Sequence, residues 1–116
     1  MRYMASNERI TANLRKGLVE FCVLAILNGG STYGLSLANR LQADGLIGNE
    51  STLYPLMARL LSAGLVESEW IPSDAGRPRK YYTLTDHGRE ALVTFRSSWA
   101  SLRDAVDRTM EEVATQ

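Results

Sequence analysis

Between Asn7 and Leu27 the apolar residues Ile10, Leu14, Leu18, Phe21, Cys22 and Ala25 recur at helical spacing without a proline, which predicts a first helix. Its second half, Leu18 to Leu27, is apolar nearly all round, as expected of a helix enclosed by other elements. Asn28-Gly29-Gly30 stops it, and Ser31 or Thr32 can cap a second helix running to about Ala43. Leu35, Leu37, Ala38 and Leu41 supply the inward side of that second helix. A third helix is expected from Ser51, whose hydroxyl can cap it, to Ala63, with Gly64 just beyond its end. Pro55 falls in or just after its first turn, where few N–H bonds are available to lose. At about 100° per residue, Leu53, Leu56, Met57, Leu60 and Leu61 gather on one side. Ser51, Thr52, Pro55, Ala58, Arg59 and Ser62 gather on the other, with Tyr54 at the border.

The period then changes. Leu65 to Ile71 alternates, Pro72-Ser-Asp-Ala-Gly76 holds turn formers, and Lys80 to Leu84 is aromatic and β-branched, so a hairpin is expected. Its long tip carries Arg77, Arg79 and Lys80 and reads as a flexible loop. Thr85 can cap a final helix continuing to about Ala114, roughly 45 Å long at 1.5 Å per residue. That exceeds what the chain's own core can cover. Its apolar stripe of Leu92, Phe95, Trp99, Leu102, Val106, Met110 and Val113 steps by three and four, like a short coiled-coil seam. A self-complementary seam implies a homodimer, because two-fold association is the commonest closed symmetry.

Composition narrows the possibilities. The 116 residues carry 13 Lys and Arg against 13 Asp and Glu, a net charge of zero, whereas a nucleic-acid-binding domain is more often basic. The balance is a sum of unlike parts: residues 76 to 84 hold three cations and no acid. Asp104, Asp107, Glu111 and Glu112 face Arg108 alone near the end of the chain. One cysteine, Cys22, excludes an intrachain disulfide and a CxxC site. The longest apolar-leaning run is far short of the ~20 residues of a membrane span, and the N-terminal stretch lacks the features of a secretory signal, so a cytoplasmic location without a membrane partner is expected. There is no GxSxG, P-loop, GxGxxG or HExxH, His87 has no second ligand for a metal, and neither an enzyme nor a cofactor is implied.

Helices, a hairpin with a charged tip and a long last helix form the order of an α+β, mainly α, winged helix-turn-helix with a C-terminal dimerisation helix. The boundary falls between residues 1–84, with a recognition helix at about 51–63 and a wing at about 65–84, and residues 85–116. A major groove of ~12 Å admits one helix, and the hydroxyl and guanidinium groups of the third helix suit base edges or phosphates. Candidate DNA contacts are therefore Ser51, Thr52, Tyr54, Pro55 and Arg59, then Arg77, Arg79 and Lys80, and on the first helix Arg15 and Lys16. Each has a plainer reading as well: a helix cap for Ser51, a core-edge ring for Tyr54, solvated charge for the cations.

Gly76-Arg-Pro-Arg-Lys-Tyr-Tyr-Thr-Leu-Thr-Asp-His-Gly-Arg-Glu90, together with Thr52-Leu-Tyr-Pro-Leu56, Leu60, Gly64-Leu65 and Tyr33-Gly34, resembles the PadR family of bacterial transcriptional regulators. The resemblance implies double-stranded DNA with two half-sites as partner and repression as the usual role, with the third helix as reader, the hairpin as wing and the last helix as dimer contact. Ser97-Ser-Trp99 is similar to multidrug-sensing members, which implies that Trp99, walled by Phe95 and Leu102, could stack on a flat aromatic inducer at the dimer interface. The competing reading of Trp99 is packing alone. A competing reading of the whole is a winged-helix adaptor that binds a partner protein and not DNA.

Overall fold

The computed structural model describes residues 2–74 and 76–114, with side chains from residue 8 onward. The domain limits at 1 and 116 and the turn former Ala75 lie outside the described residues. The order is α1 (Arg2–Lys16), α2 (Val19–Asn28), β1 (Thr32–Tyr33), α3 (Gly34–Ala43), a 3-10 turn (Glu50–Thr52), α4 (Leu53–Ser62), β2 (Val66–Ile71), β3 (Arg79–Leu84) and α5 (Asp86–Ala114). The single helix expected from Asn7 to Leu27 is two. Gly17 and Leu18 separate them, and glycine gives up more conformational freedom inside a helix than any other non-proline residue.

The core is built from α2, α3, α4 and the sheet. Val23, Leu24, Leu37, Ala38, Leu41, Leu53, Leu56, Met57 and Leu60 are buried, with Val66, Tyr82 and Leu84 closing it from the strands. Leu35 departs from expectation and is exposed. At about 100° per residue it lies roughly a third of a turn from the line of Leu37, Ala38 and Leu41. Thr32 and Tyr33 are extended, and α3 opens at Gly34 without a side-chain cap. Tyr33 pairs with Tyr81 and Thr32 with Tyr82, making the expected two-stranded hairpin a three-stranded antiparallel sheet of order β1-β3-β2. Arg79 also moves, from the flexible tip to the first position of β3 opposite Ile71, and Lys80, the expected start of the strand, is its second position opposite Trp70.

Ser51 does not cap α4. Its hydroxyl donates to Asn49 Oδ1, and the helix is entered through the 3-10 turn. At the other end Gly64, at φ +73°, turns the chain so that the Leu65 N–H reaches the Leu60 carbonyl at 3.0 Å. Thr85 behaves as its sequence suggests: its Oγ1 accepts from the Gly88 N–H at 3.0 Å and donates to the Gly64 carbonyl at 2.6 Å. One hydroxyl thus joins the start of α5 to the end of α4.

Only the beginning of α5 is packed. Leu92, expected on the exposed seam, is 6% exposed and belongs to the core of its own chain. Phe95 is half-buried and stacks on Phe21 of α2 at 4.3 Å between ring centres. From there Trp99, Leu102, Val106, Met110 and Val113 are all exposed, as are Ile10 and Leu14 on α1. The near-complete enclosure expected of α2 is accordingly not reached in one chain: Phe21 and Cys22 are half-buried and Ala25 is exposed. Among the described residues no helix is long and apolar enough to cross a membrane.

Candidate nucleic-acid interface

The geometry of α4 follows from its periodicity. With Leu53, Leu56, Met57 and Leu60 anchored in the core, Ser51, Pro55, Ala58 and Ser62 are left along the outermost line of the helix, all exposed. This ridge is small and uncharged, so the helix backbone can approach a surface closely. Tyr54 flanks it on one side, 56% exposed, and Thr52 and Arg59 flank it on the other.

Each flank borders a cavity. On the Tyr54 side, a cavity of about 580 Å³ is lined by Tyr33, Leu35, Tyr54, Arg77, Arg79 and Lys80, together with Gly34, Pro78 and Tyr82. The recognition-helix tyrosine and all three wing cations therefore meet in one cleft. The sheet register holds two of the cations: the Arg79 guanidinium lies 4.2 Å from the centre of the Tyr33 ring, and Lys80 Nζ is 5.9 Å from both Trp70 and Tyr82. Arg77 stands outside the strand, where its carbonyl accepts from the Ser73 hydroxyl at 2.6 Å.

On the other flank a cavity of about 300 Å³ is lined by Arg15, Lys16, Thr52 and Arg59 above a mainly apolar floor. Arg15 Nε is itself sealed from solvent and has no hydrogen-bond partner among the described residues. Such an unsatisfied donor costs about 1–3 kcal/mol, more when charged. The ten sequence candidates for DNA contact thus fall into two groups on either side of α4, with Ser51 and Pro55 on the ridge between them.

Sequence reasoning passed over three residues here. Asn49 Oδ1 accepts from Ser51 and, at 3.5 Å, from Thr52. Glu50 accepts from the Tyr54 hydroxyl at 3.2 Å, and this bond to a carboxylate raises the Tyr54 phenol above its ordinary value. The signal was the i, i+4 spacing of Glu50 and Tyr54, one position outside the acid-free stretch from Ser51 to Val66. Tyr33 is the third, and its place beside Arg79 depends on a strand of two residues that no periodicity can reveal.

The other titratable candidates stay structural. Burial raises the Cys22 thiol, with Asp44 adding to the effect, so it is a poor nucleophile. His87 lies 3.8 Å from Glu90 on the exposed side of α5. Among the described residues no three His, Cys, Asp or Glu side chains are placed to hold a metal ion.

A recognition-helix candidate bordered by a cation-bearing wing defines a winged-helix DNA-binding fold. Comparison with known proteins carries this to a family. The family model described as the transcriptional regulator PadR-like family matches residues 23–94. A PadR family transcriptional regulator from Eggerthella lenta is 37% identical, with a TM-score of 0.84 over 96% of this chain and 97% of that one. A PadR-like transcriptional regulator from Bacillus cereus is 33% identical, with a TM-score of 0.77 over 84% and 96%. An uncharacterised protein of Lysinibacillus sphaericus is 26% identical over 106 residues, 88% of this chain and 96% of that one. The chain belongs to the PadR-like family of transcriptional regulators, whose members are regulators and not enzymes, and DNA-binding regulation is the activity this implies.

Proposed function

We propose that the protein is a homodimeric repressor that binds an operator of two half-sites, with α4 in the major groove and the β2–β3 wing on the adjacent backbone. The observation that carries this is the meeting of Tyr54 with Arg77, Arg79 and Lys80 in one cleft beside the small, uncharged ridge of α4. Ser51, Thr52, Pro55 and Tyr54 face base edges and neighbouring sugars, and the wing cations take phosphates. Arg59, Arg15 and Lys16 take phosphates on the opposite flank.

Dimerisation is supported by the run of exposed apolar residues from Trp99 to Val113 on α5, with Ile10 and Leu14 on α1. Such an array is rare on the surface of a monomer. Two modest electrostatic footprints linked in one dimer bind far better than either alone, which reconciles DNA binding with a net charge of zero. A flat aromatic inducer between the α5 helices, stacked on Trp99, would shift the spacing of the recognition helices. Support comes from the Trp99 ring, 38% exposed and stacked 6.2 Å from Phe95, with Leu102 exposed one turn on. A DNA partner supports a cytoplasmic location as well.

A mobility-shift assay on the DNA flanking its own gene tests the reading, and a specific complex lost on substituting Arg77 and Arg79 is the expected result. Absence of any complex, with retention by a partner protein, would instead favour the adaptor. For the inducer, planar aromatic compounds should quench tryptophan fluorescence in the parent protein and fail to do so in Trp99→Ala, in which Trp70 reports the background.

A further inference from the structure

We infer that Trp70 of the wing is itself a DNA contact, its indole packed on a deoxyribose of the strand whose phosphate Lys80 holds. The inference rests on the proposed DNA-binding role and adds to it an apolar contact that binds without reading sequence. Trp70 is 66% exposed, although tryptophan is highly buried on average. It is the next-to-last residue of β2 and stands directly opposite Lys80 of β3.

Strand alternation decides which way the ring points. Side chains directly opposite each other across an antiparallel pair share a face, and the two faces alternate along each strand. Val66 with Leu84, Ser68 with Tyr82 and Trp70 with Lys80 therefore lie on one face, and it is the face buried on the core at Val66, Tyr82 and Leu84. Glu67 and Glu69 lie on the other. The face that carries Trp70 thus has a cation and no acid, and it runs outward from the core that the sheet shares with α4. Lys80 and Tyr82 border the cleft that Tyr54 of α4 also lines. Lys80 Nζ is 5.9 Å from the rings of both Tyr82 and Trp70, so the row that begins at Tyr54 ends at an exposed indole.

A DNA backbone alternates phosphates with deoxyribose rings, whose C–H surfaces are apolar. Lys80 suits the first and Trp70 the second. Contacts to phosphate and sugar fix a protein on the duplex without reading bases, and a sugar contact, unlike a phosphate contact, displaces no counterion. Trp70 therefore strengthens binding to any duplex and adds nothing to its salt dependence.

The test uses the full-length protein with a duplex from the DNA flanking its gene and an unrelated duplex of equal length. The chain has two tryptophans, so Trp99→Phe leaves Trp70 as the sole indole. Either duplex should change its emission and shield it from acrylamide. Trp70→Ala should weaken both complexes about five- to tenfold, the order expected when an exposed aromatic side chain loses most of its burial in a contact, with an unchanged salt slope. Trp70→Phe should keep most of the affinity, and Lys80→Gln should lower the slope by about one. A slope lowered by about one in Trp70→Ala would overturn the inference by showing that the ring acts only through Lys80. A loss confined to one of the two duplexes would overturn it by showing a base contact. If the parent protein binds with a salt slope while Trp70 stays open to acrylamide and Trp70→Ala binds as well, the contact fails and the DNA-binding role stands. Absence of any complex overturns both.

Discussion

At the scale of single residues, two positions carry more than their size suggests. Gly88, one turn into α5, lies against the loop that leaves α4: a Cβ built there would stand 2.1 Å from the Leu65 carbonyl oxygen and 2.5 Å from Leu84 Cδ1. The oxygen belongs to the backbone and cannot rotate away. Gly88→Ala should therefore destabilise the fold by about 3 kcal/mol, at the upper end for overpacking, read as a lower urea midpoint. Glu50 is the second. Its carboxylate sets an acid at the front of the recognition helix and fixes Tyr54 through a hydrogen bond. Glu50→Gln should return the Tyr54 phenol toward its ordinary range, seen as an earlier rise in phenolate absorbance on alkaline titration. It should also tighten binding to duplex of any sequence by removing one negative charge beside the phosphates. The candidate site was only partly legible at this scale. Residue type and helical phase placed Ser51, Thr52, Pro55 and Arg59 on the outward side and Tyr54 at its border, but the Glu50 to Tyr54 bond needs the 3-10 turn that precedes α4.

At the scale of elements, long periodic segments were readable and short ones were not. α4, β2 and α5 agree with their sequence patterns to within about two residues; in α4 one buried face of Leu53, Leu56, Met57 and Leu60 fixes the phase. The break at Gly17 was missed because apolar spacing continues across it. β1 was missed because two extended residues have no period, and its pairing to β3 is decided by contacts about fifty positions apart in the chain. That pairing moves Arg79 from a loop to a strand and sets it on Tyr33. The junction of α4 and α5 shows the opposite case, a local signal with a long-range effect. Thr85→Ala would free the Gly88 N–H and leave the Gly64 carbonyl without its 2.6 Å partner. A loss of about 1–2 kcal/mol is expected for this cap, measured by chemical denaturation, and Thr85→Ser should recover most of it.

At the scale of the molecule, α5 is too long for one chain. Its 29 residues span about 44 Å, and only the first two turns and Phe95 meet the rest of the protein. The structure moves Leu92 from the proposed dimer seam into the core, so the exposed stripe runs from Trp99 to Val113. Val106→Glu places a charge in the middle of that stripe without touching the core. Sedimentation should show the parent protein as a dimer and Val106→Glu as a folded monomer; an unchanged dimer would refute the stripe as the contact. The same variant should bind a full operator much more weakly, since each half-site is then met singly.

Fold and family were legible in the sequence because pattern and motif agree over the whole winged helix. The site's division into two cation groups was not, because it depends on how α1 and the wing are brought to opposite flanks of α4. The central claim is that these groups grip DNA phosphates, and salt tests it most directly. Fluorescence anisotropy with a labelled duplex from the flanking intergenic DNA should show affinity falling linearly on logarithmic axes as salt rises, by nearly one unit per phosphate contact for each tenfold of salt. Replacing Arg77 or Arg79 by Gln should lower that slope by about one. Affinity that is independent of salt, or a slope unchanged by both substitutions, would contradict the account.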